Sequence, residues 1–153
     1  IEEMRFRALA KRAKETKRNR KGKPSRKKRF GKSISNKAPA LFISTIKRKV
    51  LHAGGSFQKV DTISVKASQY NHLTETYTKK NLSKRWNTMP DGTKVQRDLY
   101  SAFLIQNVND SLKQIDTERC NQSYNSFLFL HDKEIQRLTL LVTPSSMGIQ
   151  HIA

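Results

Sequence analysis

The segment KVQRDLYSAFLIQNV, residues 94–108, sets one acid, Asp98, directly after an arginine at the head of an apolar-periodic run. Two chemistries are open to a carboxylate there. It can start a helix by accepting backbone N–H groups, an interaction of about 1 kcal/mol. It can also offer hard oxygen to a divalent cation. A helix N-terminus favours a carboxylate in either role. Just upstream, KKNLSKRW (residues 79–86) interleaves basic residues with the single tryptophan. Trp86 can stack on a base or anchor a small core. Cys120 is the only cysteine and no motif surrounds it, so it reads as a buried or idle thiol. One cysteine cannot build a thiolate zinc site. His52, His72, His131 and His151 are scattered without metal-ligand spacing and read as surface or core residues.

The elements that must position these groups come from a chain of 153 residues with a formal net charge of +19 and a pI near 10.4. That length suffices for one domain with a modest core. So large a charge opposes compaction and attracts polyanions, with nucleic acid the leading class. An anionic membrane surface ranks well below, because the basic stretch lacks the interleaved apolar face of a surface helix. No run of about 18 apolar residues occurs, and no secretory h-region opens the chain. A lone cysteine fits a reducing, cytoplasmic setting. The first residue is Ile rather than Met, so a piece of a longer chain is expected.

Residues 1–10, IEEMRFRALA, read as the end of a strand running into a helix. A basic arm follows over 11–36, more than half lysine and arginine through residue 32. Such a block is extended until a polyanion neutralises it, and its density suits contact with phosphates. In KAPALFISTIKRKVLHAGG, residues 37–55, Phe42, Ile43, Ile46, Val50 and Ala53 recur at helical spacing. Pro39 suits the first turn, and Gly54 and Gly55 suit the end. SFQKVDTISVKAS, residues 56–68, alternates like a strand, which makes helix, glycine pair and strand one half-unit of an α/β sheet. Residues 69–93 read as a loop-rich insertion with a tight turn at Met89–Gly92. Ala102, Ile105, Val108, Leu112 and Ile115 predict a helix from about Arg97 to Ile115. Tyr124, Phe127, Leu128, Ile135, Leu138 and Val142 predict a second, from about Ser123 to Leu141. VTPSSMGIQHIA reads as a frayed tail.

Read in order, RFGKSISNKAPALFISTIKRK, GGSF, ASQYNHLTETYTKKNLSKRW, VQRDLYSAFL and SSMG resemble the C-terminal half of OrfB/TnpB-type proteins of bacterial insertion sequences. The likeness runs along most of residues 1–148, and QRDLYSAFL is its most specific piece. The family, described as transposases, comprises RNA-guided DNA nucleases related to type V CRISPR effectors. The resemblance implies a partial RNase H-like (RuvC-type) α/β domain. Residues 1–68 would form its C-terminal half, 69–93 the zinc-ribbon position, 94–117 the last RuvC-like helix with its acid, and 118–153 a C-terminal helix and tail.

The family's last catalytic carboxylate maps onto Asp98. The middle one, a strand-end Glu, maps onto Glu2 of EEMRFRA, with Glu3 one residue off. The first, an Asp on an earlier strand, would lie before Ile1, in a missing N-terminal half. Three acids serve a two-metal phosphodiester hydrolysis, with ions about 4 Å apart held by hard oxygen ligands. The implied cofactor is therefore Mg²⁺ or Mn²⁺, and the implied partners are DNA and a guide RNA, with no membrane. Arg18, Arg20, Lys21, Arg26, Lys27, Lys28, Arg29, Lys79, Lys80, Lys84 and Arg85 would contact phosphates. The setting would be the prokaryotic cytoplasm, at the nucleoid.

One departure stands out. Many relatives carry paired cysteines after the SQ and after the RW, whereas Asn71, Leu73, Met89 and Asp91 stand around those places here. No zinc is expected, and the insertion either keeps a ribbon-like hairpin without metal or is disordered. Without its first Asp the chain alone should be inactive, with part of its core and a sheet edge exposed. The competing class is a non-catalytic basic RNA- or DNA-binding module, or a decayed nuclease that still binds RNA. Charge alone fits it equally well.

Overall fold

The computed structural model describes residues 1–10, 18, 20–24, 31–81, 83–141 and 147–149. They divide into two compact units, Ile1–Glu2 with Lys59–Ala153, and Glu3–Gln58. The chain mixes α-helices with two small antiparallel ladders, and is α/β in that broad sense.

In the unit of residues 3–58, α1 (Phe6–Ala10) follows the first residues directly, as expected, and α2 (Gly31–Lys37) precedes α3 (Pro39–His52). Pro39 opens α3, where its missing N–H costs nothing. The helix closes at Gly54, whose φ of +75° suits a residue without a Cβ. Of the two glycines only Gly54 has a positive φ. No residue of α3 is fully buried. Ile43, Ile46 and Val50 are half-covered, while Leu41, Phe42 and Leu51 are exposed.

The other unit corrects the expected strand over 56–68. Only Val60 pairs, through an isolated parallel bridge to Glu2, with its N–H donating to Ile1 O at 2.8 Å. The chain then turns into a short helix, α4 (Thr62–Val65). Asp61 forces the change, because its carboxylate accepts Ile63 N at 2.9 Å and Ser64 Oγ at 2.7 Å. Such local side-chain bonding competes with a sheet ladder. Val60 and Val65 are buried while Ile63 is 65% exposed, so the apparent alternation is not a strand face.

Within the loop-rich stretch 69–93 the chain starts two short antiparallel hairpins. A 3₁₀ turn (Ala67–Gln69) leads into β1 (Tyr70–Asn71), which pairs antiparallel with β2 (Thr76–Tyr77). β3 (Trp86–Thr88) pairs with β4 (Lys94–Gln96) in the same sense. The expected turn closes β3 to β4, with Gly92 N donating to Met89 O at 3.0 Å and Met89 N to Thr93 O at 2.8 Å.

Two helices complete the unit, α5 (Arg97–Gln106) and α6 (Thr117–Thr139). α5 stops nine residues short of its expected end at Ile115. Asn107 and Asn109 end it, because Asn109 Oδ1 accepts Ser111 Oγ at 2.7 Å and binds the following backbone more loosely. Val108, Leu112 and Ile115 still reach the core from this loop, closed by a Val108–Ile115 bridge. The apolar spacing survives although the helix does not. α6 begins six residues before its expected start, where Asp116 caps it by accepting Arg119 N at 3.0 Å.

The core lies where α5 meets α6, β4 and the 3₁₀ turn. α5 contributes Tyr100, Phe103 and Leu104, at helical spacing, while Ala102 is exposed. Full burial of each such side chain stabilises by about 1.5–3 kcal/mol. Phe103 stacks on Phe127 of α6 at 4.5 Å between centroids. Cys120 is fully buried in this core, as its bland sequence context predicts. Residues 147–149 are no frayed tail. Ile149 is buried, and the carbonyls of Met147 and Gly148 accept bonds from Gln96 and Trp86. The rest of the C-terminal segment, 142–146 and 150–153, Val142 and His151 included, lies outside the described residues.

Candidate functional site at the start of α5

β4 runs without a break into α5, so the side chains of Gln96, Arg97 and Asp98 share one strand-to-helix junction. Asp98 sits in the first turn of α5, but it is not the cap. Gln96 is. Its Oε1 accepts Asp98 N at 2.7 Å and Leu99 N at 2.9 Å. This corrects the helix-starter reading of Asp98, because the orphan donors of the helix are already satisfied. Glutamine is not among the preferred cap residues, which is why sequence reasoning passes over it.

The Asp98 carboxylate is thereby left for other contacts. Its side chain is 54% exposed and pairs with Arg97, the nearest N–O distance being 3.2 Å. Gln96 Nε2 donates to its other oxygen at 3.3 Å. Arg97 is itself anchored, with its guanidinium on Lys84 O at 3.3 Å and its N–H on Arg85 O at 2.8 Å. Behind the junction lies His131 of α6. Its Nε2 accepts the backbone N–H of Gln96 at 2.9 Å. Nδ1 therefore carries the proton and faces Asp132 Oδ1 at 2.8 Å. His131 lies four residues after Phe127 on the apolar stripe of α6, a position that marks it as inward-facing. Its partner on β4 has no sequence signal.

Glu2 lies in the same compact unit as Asp98 and is half-buried beside its bridge to Val60. The donor chemistry of Glu2 and Asp98 suits a hard divalent cation. Yet Asp98 already faces a guanidinium, and among the described residues no three His, Cys, Asp or Glu side chains gather to hold a metal ion. These residues do not by themselves complete a metal site.

The basic residues fall into two groups. Arg18, Arg20 and Lys21 are exposed in the unit of residues 3–58. Arg18 and Pro24 bridge across a tight turn there, and the Arg18 guanidinium donates to Gly22 O at 3.3 Å. Arg26, Lys27, Lys28 and Arg29 lie outside the described residues. Lys79, Lys80, Lys84 and Arg85 lie in the stretch between the two hairpins of the other unit, where the carbonyls of Lys84 and Arg85 meet Arg97. The Lys80 ammonium is held below the ordinary lysine range by burial, then by the charges of Lys84 and Arg97. Trp86 resolves its two readings toward the core. Its Nε1–H donates to Gly148 O at 2.7 Å, and its ring meets His131 edge-on at 6.1 Å.

His72 is buried against Tyr100, whose hydroxyl accepts His72 N at 3.1 Å and shares a second hydrogen bond with Nδ1 at 2.6 Å. Burial holds the His72 pKa below its usual value. Among the described residues no helix is long and apolar enough to cross a membrane. No family model, no curated protein and no solved structure matches the chain.

Proposed function

We propose that this chain is the C-terminal part of a TnpB-type, RNA-guided DNA endonuclease with a RuvC-like, RNase H-type domain. Its intact form would hydrolyse phosphodiesters with Mg²⁺ or Mn²⁺. The observation that supports this best is the freedom of Asp98 from capping. Gln96 holds the helix start, and a braced, accessible carboxylate remains in the first turn of α5. In this reading Asp98 and Glu2 bind metal, a further acid comes from outside these residues, and the 153 residues alone do not cleave. The basic groups at Lys79, Lys80, Lys84, Arg85 and in the arm hold nucleic-acid phosphates. The chain's charge of +19 gives that contact its driving force through counterion release.

A second reading keeps the nucleic acid and drops the chemistry: a basic module, or a decayed nuclease that only binds. The pairing of Asp98 with the Arg97 guanidinium, rather than with another acid, favours it. A cleavage assay on the complete protein, with its co-purified RNA, separates the two. Guide-matched DNA cut with Mg²⁺ and left whole with EDTA supports the nuclease. RNA retained with no cut under either condition supports the binding module.

A further inference from the structure

A cleft of about 210 Å³ opens between the β1–β2 and β3–β4 hairpins, with Lys80, Lys84, Asn87 and Met89 in its lining. That is the liquid volume of about seven waters. Its chemistry is one-sided. Among the described residues its lining carries two cations with carboxamides and hydroxyls, but no carboxylate. Neither Lys80 nor Lys84 has an ion-pair partner among the described residues. Two cations brought together without a counter-charge repel each other, and an anion seated between them relieves that repulsion.

Asn87 supplies an independent observation. It lines the same cleft at 4% exposure, and its Nδ2 has no hydrogen-bond partner. A buried amide donor without an acceptor is costly. An acceptor on a bound ligand removes that cost. Met89, also 4% exposed, adds an apolar wall. Cations for a phosphate, a carboxamide for a base edge and an apolar surface for a base face make one set.

We propose that this cleft takes one nucleotide unit, with its phosphate on Lys80 and Lys84 and an acceptor on its base meeting the Asn87 carboxamide. The proposal rests on the nucleic-acid-binding reading above and adds a defined subsite to it. The same unit could arrive in a DNA strand, in an RNA strand or as a free nucleotide.

Bulk charge will bind any polyanion to this chain, so the test reads base preference and salt slope rather than affinity alone. The full chain is titrated by fluorescence anisotropy with short single strands of DNA and of RNA, each with and without one abasic position. Free nucleoside monophosphate is added as competitor. Intact strands should bind roughly tenfold tighter than abasic ones, the scale of one hydrogen bond, and Asn87→Leu should erase that difference. Lys80→Gln with Lys84→Gln should keep the preference but lower the slope of log K against log salt by about 0.7, one phosphate's worth on a single strand. Lys84 is exposed, so the Lys84→Gln single variant, with an expected slope change below about 0.7, guards against misfolding at Asn87. The DNA, RNA and competitor arms identify the source. Strong binding in which neither the abasic position nor any of these variants matters overturns the subsite and leaves the broader reading standing. Failure to bind any nucleic acid overturns both.

Discussion

The backbone N–H of Gln96 donates to Nε2 of His131 at 2.9 Å, a contact between residues 35 apart in sequence. His131 thus grips the residue that caps α5, and the cap in turn orients Asp98. Each link is local chemistry, but α6 has to fold back for the first link to form. The arrangement leaves Asp98 with no structural duty at the helix start, and the first prediction follows from that.

Asp98→Asn should change stability by no more than about 0.5 kcal/mol, as for a surface site. Gln96→Ala should cost about 1–2 kcal/mol, the usual loss of a helix cap. Urea unfolding of the two variants side by side checks the order. A larger loss at Asp98 than at Gln96 would return Asp98 to the role of cap.

His72 makes stability depend on pH, and burial gives the sign. Desolvation by burial holds its folded pKa below the ordinary 6.5, so the unfolded chain binds the proton more readily. The stabilisation is complete above about pH 6.5 and is lost as pH falls through the folded value. Melting temperature should therefore drop between pH 7 and pH 5. Replacing His72 with Gln should flatten that part of the profile, and an unchanged slope in that variant would assign the acid sensitivity to other groups.

Gly148 has a φ of +67°, and a Cβ built there would sit 2.5 Å from Arg85 Cβ. Gly148→Ala should therefore cost about 1–3 kcal/mol in backbone strain and displace the carbonyl that holds Trp86 Nε1. Trp86 is the only tryptophan, so its fluorescence reports on this contact alone. A red-shifted emission in the folded variant is expected, whereas an unshifted spectrum would mean the 147–149 segment does not seat Trp86 in solution.

Burial pushes the Cys120 thiol up to about 12. A thiol reagent at pH 8 should react with it only as fast as the chain unfolds, and at ordinary thiol rates in denaturant. Rapid labelling of the native chain would mean that the α5–α6 core is open.

Local signals were legible because turn and cap chemistry acts within about four residues. Pro39 starts α3, Gly54 ends it, Met89–Gly92 closes a hairpin and Arg97 starts α5, all as the sequence implies. Misreadings occur where one pattern serves two structures. Val108, Leu112 and Ile115 keep helical spacing but pack from a loop that Asn109 organises. Ile63 and Val65 alternate like a strand, but Asp61 folds them into a turn of helix. The Gln96–His131 contact was not legible, because nothing near either residue points to the other. Asn87 was hidden too, as its neighbours in the cleft come from two separate hairpins.

If Asp98 belongs to a nuclease centre, as proposed, rather than to the scaffold, its carboxylate is needed for cleavage and not for folding. The most direct measurement is Mg²⁺-dependent cleavage of guide-matched DNA by the complete protein, wild type against Asp98→Asn, with unfolding curves taken on the same preparations. Near-complete loss of cleavage, with stability and RNA binding retained, is the expected result. Near-normal cleavage by Asp98→Asn, or lost cleavage that tracks lost stability, would contradict it.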